Sequence, residues 1–421
     1  MAGLVFLVVV VYLFKDNTAN SNNLPEEQTA GNKEQKDKED NRPEIETVTA
    51  NASPFYKEAY DLFTEGKIHK ALNLLDEETL NETENKRNEE SAKERILKAQ
   101  LLERTYDFQA AENNYLKAVD IFPSLENNFQ VANFYRKQNN FPYAETYYNH
   151  CLPLAKTLEE KAKVLNNVGL LHEKMMNYPK AAKAYKEAED IYRELAGDNP
   201  KAYQPKLATT LNNVANLYGN LKNYPRANKA YEDYSKAKDA YMEALEIYRK
   251  LADDNPKAYQ PDVATTLNNV GTLHMNNRDF SDAAKAYEEA LTIRRQLAAE
   301  NPQAYRPDLA ATLNNVGILR WKTKELPKAK DAYEEALQIY RELADENPQA
   351  YQPDLAMTLA NLALFYAKTG KDREQSIQYA REVLSFRPLL ENIPDAQKSM
   401  EIADQILLYW EKIPPLSGRP I

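Results

Sequence analysis

Apolar side chains recur along most of this chain at the three- and four-residue steps that fill one face of a helix, and the pattern itself returns at a fixed interval. The clearest copy runs from Pro261 to Arg306 and is followed at once by a near-identical one. Val263, Leu267, Val270 and Leu273, joined by Gly271 and His274, mark the buried stripe of a first helix from Asp262 to about Met275. Its Pro-Asp opening is a start signal, because proline tolerates the first turn and an early carboxylate meets the positive end of the helix dipole. Ala283, Tyr287, Ala290, Leu291 and Leu297 mark a second helix from about Asp282 to Ala299. It ends at Asn301-Pro302, since the residue before a proline is pushed out of helical geometry.

Pro256, Pro302 and Pro348 stand 46 residues apart, whereas Pro200 and Pro256 stand 56 apart, so one unit carries ten extra residues. Helix pairs repeating at this period predict a solenoid, in which no hairpin buries its own apolar face and stacking makes the core. In the over-long unit Ala227, Tyr231 and Tyr234 are followed by Ala237, Tyr241 and Ala244, a local duplication of the second helix. Ten residues turn a helix by about 1000°, roughly 80° short of three turns, so a straight extension would leave register. A loop or kink is expected there.

The small residues carry the register: Gly271 and Ala283 let the two helices of a hairpin approach, and Tyr287 followed by Ala290 alternates large with small. This resembles the tetratricopeptide repeat. The ATTLNNVGTLH-type first helix and the long unit resemble, within that family, the kinesin-light-chain-like branch. The expected fold is all-α, a right-handed α-solenoid of about eight helix-hairpin repeats with a C-terminal capping helix. Residues 53–156 read as three shorter, divergent repeats without the Leu-Asn-Asn triplet, and 157–352 as four long ones of about 46 to 56 residues. Residues 353–388 form a final divergent repeat, 393–412 the cap and 413–421 a tail. The charged stretch Asn81 to Glu94 is expected to be a loop or frayed helix, and Tyr203, Tyr259, Tyr305 and Tyr351 to plug the junctions as AYxP linkers.

At the amino terminus, MAGLVFLVVVVYLF from Met1 to Phe14 is uninterruptedly apolar, yet shorter than the roughly 20 residues of a spanning helix. It reads as a membrane anchor, with a cleaved signal as rival; against the signal stand a missing basic n-region and no small-x-small site at Asn17-Thr18-Ala19. Residues 15–50 lack aromatic side chains and read as a disordered polar tether. The expected localisation is a single-pass membrane protein with the repeats leaning extracytoplasmic, although one flanking lysine, Lys15, leaves the topology open.

Composition narrows the chemistry. Ten glycines disfavour a phosphate-cradling loop, and a formal charge of −10 offers no basic footprint for nucleic acid. The single cysteine, Cys151, follows Tyr148 by three and reads as packing. His172 and His274 stand where sister repeats carry Tyr218 and Tyr366, which is a core position, and His69 and His150 have no evident constellation around them. No nucleophile, base or metal set of plausible spacing appears, so the chain is expected to be no enzyme, with no cofactor, metal or small-molecule substrate.

The one candidate site is an asparagine ladder: Asn167, Asn213, Asn269 and Asn315, with Asn361 at the same place in the final repeat. The resemblance implies that first helices line a concave face where this asparagine holds the backbone of an extended peptide. An amide offers both donor and acceptor to a peptide unit. Thr209, Asn216, Asn220, Thr265, Thr272 and Asn276 are expected in the same groove, with Trp321, Lys322 and Lys368. The preceding Asn166, Asn212, Asn268 and Asn314 lie about 100° round the helix and are candidates to satisfy neighbouring hairpins. The expected function is a membrane-tethered scaffold for a protein or peptide partner. The alternative is the sensing or oligomerising half of a larger signalling protein, an ATPase or protease fusion, truncated upstream.

Overall fold

The structure is a computed structural model that describes residues 54–76, 80, 88–220, 227–370, 372–390 and 394–412. Every regular element among them is a helix. The first hairpins pair α1 (Pro54–Thr64) with α2 (Ile68–Leu74), α3 (Asn88–Arg104) with α4 (Phe108–Ile121), and α5 (Leu125–Lys137) with α6 (Phe141–Leu154). Next come α7 (Leu158–Lys174) with α8 (Tyr178–Asp198), and α9 (Pro200–Asn220) with α10 (Ala227–Asp254). The last are α11 (Pro256–Asn276) with α12 (Phe280–Glu300), α13 (Pro302–Lys322) with α14 (Leu326–Glu346), and α15 (Pro348–Thr369) with α16 (Arg373–Ser385). A single turn, α17 (Arg387–Leu390), leads to the closing helix α18 (Pro394–Lys412). This is an all-α repeat solenoid in which odd-numbered helices open each hairpin and even-numbered ones return. The chain divides into two compact units after Val214, within α9.

Two local devices make the hairpins. Each described reversal from first to second helix passes through one left-handed residue: Gly66, Tyr106, Asn139, Met176, Arg278, Lys324 or Gly370. Five of these carry a side chain, which costs about 1 kcal/mol or more apiece. The turn offsets that cost by satisfying the last carbonyls, as where Asn177 N donates to His172 O (2.7 Å) and Asp279 N to His274 O (2.9 Å). From second helix to next first helix in the long hairpins, a single asparagine does both jobs, whereas Ser124 and Thr157 cap α5 and α7. Asn301 N caps α12 on Leu297 O (2.8 Å) while its side chain accepts from Ala304 N (3.3 Å) at the start of α13, and Asn347 repeats this before α15.

This capping corrects the expected helix starts. The first helices begin at Pro256, Pro302 and Pro348, with Pro261, Pro307 and Pro353 inside them. The inner proline lies so near the N-terminus that it removes only one backbone hydrogen bond, and the AYxP tyrosines therefore sit in helix, not in a linker. Similarly, α3 begins at Asn88, inside the charged stretch expected to be a loop or frayed helix. Its Ser91, Glu94 and Arg95 are buried.

The core is the small-aromatic-small triplet of the second helices. Ala111, Tyr115 and Ala118 are buried in α4, and Ala144, Tyr148 and Cys151 in α6. Ala181, Tyr185 and Ala188 follow in α8, and Ala283, Tyr287 and Ala290 in α12. Each fully buried aromatic contributes about 1.5 to 3 kcal/mol of apolar transfer. The small residue of the first helix makes room for it: a Cβ at Gly271 would come within 2.6 Å of the Tyr287 ring, and one at Gly169 within 2.5 Å of Tyr185.

Among the described residues no loop interrupts the duplicated second helix, which is helical through all 28 residues of α10. The copy in register is the later one, since Ala237, Tyr241 and Ala244 are buried. The extra residues lie ahead of the packed segment, so they do not rotate its apolar face. They deliver Tyr234, whose hydroxyl donates to Asp279 Oδ2 (2.9 Å) and faces His274 Nδ1 (3.1 Å). At the other end α18 closes the stack against α15 and α16, with Trp410 Nε1 donating to Ser376 Oγ (2.9 Å) and Arg373 to Trp410 O (2.7 Å).

The expected membrane localisation is corrected. Among the described residues no helix is long and apolar enough to cross a membrane. The longest, α10, exposes Glu232, Lys236, Asp239, Glu246 and Lys250 along one side. The apolar run Met1 to Phe14, the tether 15–50 and the tail 413–421 lie outside the described residues.

Candidate functional site

The repeat geometry places equivalent first-helix side chains at matching heights in successive hairpins, and the asparagine positions follow it. Asn167, Asn213 and Asn315 are half-buried, whereas Asn269 and Asn361 are each only 4% exposed. Asn213 Nδ2 donates to Asn166 Oδ1 of the preceding hairpin (3.2 Å), and Asn315 Nδ2 donates to Asn268 Oδ1 in the same way (3.2 Å). Asn314 Nδ2 reaches forward to Thr358 Oγ1 (2.8 Å). Thus at these two junctions the first asparagine of one hairpin accepts from the second of the next, whereas the buried Asn314 Oδ1 accepts no hydrogen bond among the described residues. Asn167 instead donates to Lys163 O on its own helix (3.0 Å).

The flanking candidates divide by burial. Asn216 and Thr272 are buried and bind the core tyrosines, Asn216 Oδ1 accepting from Tyr241 (2.5 Å) and the Thr272 hydroxyl sharing a bond with Tyr287 (2.8 Å). The next hairpin has Ile318 where Thr272 stands, and the buried Tyr333 hydroxyl there has no hydrogen bond among the described residues. Thr209, Asn220, Thr265, Asn276, Trp321 and Lys322 are half-buried, and Lys368 is exposed. Burial pulls the Lys322 ammonium down to about 8. The Trp321 ring meets Phe365 edge-on at 5.8 Å.

Neighbouring residues show what the pattern hid. Arg294 occupies the place of Tyr248 and Tyr340 in sister hairpins, is 2% exposed, and donates to Asp308 O (2.9 Å), to Thr312 Oγ1 and to Thr265 Oγ1 (3.3 Å). The mismatch with its sister tyrosines was a signal available from the repeat alignment. Arg320 stands where sisters carry Tyr or His and pairs with Glu325 (2.8 Å) and Glu288 (2.5 Å). Hydrogen bonds from Lys328, Arg320 and Thr323 hold the Glu325 carboxyl at about 2. Cys151 is buried with its thiol on Leu125 O (3.6 Å), and burial pushes that thiol up to about 12. Among the described residues no group of three or more His, Cys, Asp or Glu side chains is placed to hold a metal.

The Tetratricopeptide repeat family matches over residues 125–194 and 262–342, and a second profile of the same description over 207–233. Within those segments the chain carries tetratricopeptide repeats. No curated protein matches it. Among solved structures, aspartyl phosphate phosphatase F from Bacillus subtilis is similar over 89% of this chain and 98% of its own, at 16% identity and a TM-score of 0.50. Yeast Tom70 is similar over 90% of this chain and 72% of its own, at 16% identity and a TM-score of 0.51. At such identities the likeness is one of fold.

Proposed function

We propose that the chain is a non-catalytic interaction scaffold, and that the first-helix surface of its long hairpins holds an extended stretch of a protein partner. The observation that carries this reading is the row of half-buried and exposed polar side chains returning once per hairpin at the same helix position, as Asn276, Lys322 and Lys368 do beside Asn315. An extended peptide presents its own groups at regular intervals, so a surface that repeats along an array can meet it many times over. Tethering the amide nitrogen of Asn213 to Asn166 fixes the side chain and turns its carbonyl oxygen into an oriented acceptor for a partner N–H. The ATTLNNVGTLH-type helices support assigning these repeats to the kinesin-light-chain-like branch.

A second reading is favoured by the bridges themselves: Asn213 and Asn315 tie hairpins together and touch no partner. Photoreactive side chains placed at Asn276 and Lys368, and at Lys285 on a second helix, separate the two in the full-length protein. Partner cross-links are expected at the first pair and not at the third. Asn315→Ala should weaken capture roughly two- to tenfold for one lost hydrogen bond. A variant that melts far lower yet captures normally would leave the asparagine a scaffold residue.

A further inference from the structure

The divergent hairpins hold a cavity of about 250 Å³ between α1, α3 and α5. It uses none of the asparagine positions discussed above. Tyr56, Ile96, Leu97 and Phe122 supply apolar and aromatic wall. Glu89 and Lys93 line it from α3, and Glu126, Asn127 and Gln130 from α5.

Asn127, Gln130 and Glu89 on this wall carry acceptor oxygens that are not all matched, and Gln100 and Ser124 complete the polar lining. Asn127 Nδ2 donates to Phe122 O (2.7 Å), Gln130 Nε2 to Glu126 Oε1 (2.7 Å), and Lys93 pairs with Glu89 Oε1 (3.1 Å). Among the described residues no hydrogen bond reaches Asn127 Oδ1, Gln130 Oε1 or Glu89 Oε2. Asn127 is 5% exposed and Gln130 9%, so their carbonyl oxygens gain from a ligand that brings donors into the cavity. An anion would meet these acceptors with Lys93, already paired to Glu89, as the one cation of the lining, and a purely apolar group would leave them unmatched.

We infer that this cavity takes the arginine side chain of a protein partner. A guanidinium offers five donors in a planar fork and no acceptor, which suits amide oxygens and carboxylates presented from two different helices. Its methylene stem lies along Ile96 and Leu97, and the aromatic faces of Tyr56 and Phe122 attract a delocalised cation. Lysine brings a point charge and fewer donors, so it binds more weakly here.

The test titrates the full-length protein, labelled at isoleucine and leucine methyl groups, with acetyl-Gly-Arg-Gly-amide, following Ile96 and Leu97 by nuclear magnetic resonance. Versions carrying lysine, citrulline or glutamate in place of arginine are the comparisons. Saturable shifts are expected with arginine, weaker ones with lysine, and none with citrulline or glutamate. The double variant Glu89→Gln with Glu126→Gln should lower arginine affinity roughly tenfold. If that variant loses helicity, Glu89→Gln alone, at an exposed site in the first turn of α3, serves instead. Equal binding of citrulline or glutamate, no saturable shift with arginine, or a folded charge variant of unchanged affinity would overturn the assignment.

Discussion

Helices α4 and α6 bury the same small-aromatic-small triplet as α10, α12 and α14, yet the hairpins of α3 to α6 and those of α10 to α16 join neighbour to neighbour by different means. In the first group the junction between α4 and α5 is tailored. The Tyr115 and Phe134 rings meet at 5.0 Å and Tyr135 donates to Glu112 (2.7 Å), while inside the hairpins Phe129 meets Tyr148 at 5.8 Å and the fully buried Arg95 donates to Asn114 (3.1 Å). In the second group one solution is reused. Arg249 pairs with Glu289 (2.6 Å), Arg295 with Glu335 (2.7 Å) and Arg341 with Glu382 (2.8 Å), one step of the repeat apart each time. A contact can recur only if both partners recur, so an accurate repeat propagates even a weak pair, whereas diverged hairpins need tailored ones. Arg294 is the exception that makes the long group resemble the short one, being a single buried side chain without a sister.

The largest expected effect comes from removing that exception. Arg294→Ala removes one of the buried donors to Asp308 O, leaving the Thr312 hydroxyl (3.1 Å), and opens a cavity, costing about 3 kcal/mol. Arg294→Tyr should recover most of it, because Tyr248 and Tyr340 fill the equivalent place. Denaturant titration followed by circular dichroism measures both; an alanine variant within about 0.5 kcal/mol of the parent would show that the site is not a keystone of its junction.

A middling effect is expected from the two buried histidines, one in each compact unit. Burial lowers the folded-state values of His172 and His274 below the ordinary 6.5, so the unfolded chain binds the extra protons first. Their contribution is whole above about pH 6.5 and declines as pH falls through that value toward the lower folded one. Glu145 near His172, and Asp279 and Asp282 near His274, limit the decline, while Lys180 and Lys238 deepen it. Replacing both histidines by the sister tyrosine should flatten the change in melting temperature between pH 7 and pH 5. An unchanged slope would mean that other groups carry the acid response.

The smallest effect belongs to the arginine ladder. Its members are about half exposed, so Arg295→Ala should cost only about 0.2 to 1 kcal/mol, and less at high salt. A larger, salt-insensitive loss would mean that the ladder is a cooperative network and that the two groups of hairpins differ in strength as well as in style.

Much of this was legible before any coordinates. The register of prolines and the Ala-Tyr-Ala triplets located the hairpins, and the need to cover a last apolar face located α18. The candidate site was legible only as a list of positions. That Asn213 and Asn315 point their amides at Asn166 and Asn268, while Asn269 and Asn361 are buried, depends on how far one hairpin is rotated on the next. The duplicated second helix failed for a related reason. Helical periodicity states how much ten residues turn, and not whether they lie inside or ahead of the packed segment.

By itself, then, the sequence determined the elements and the core, because periodicity and small-large alternation act between residues near in the chain and are repeated until chance is excluded. Tertiary structure alone decided which polar groups meet across hairpins. Asn315 reaches Asn268 and Arg294 reaches Thr312 through angles and offsets that accumulate from packing, and a hydrogen bond is made or lost over a fraction of an ångström. The cavity between α1, α3 and α5 is of the same kind, for it is a volume left between three helices and no stretch of sequence spells it.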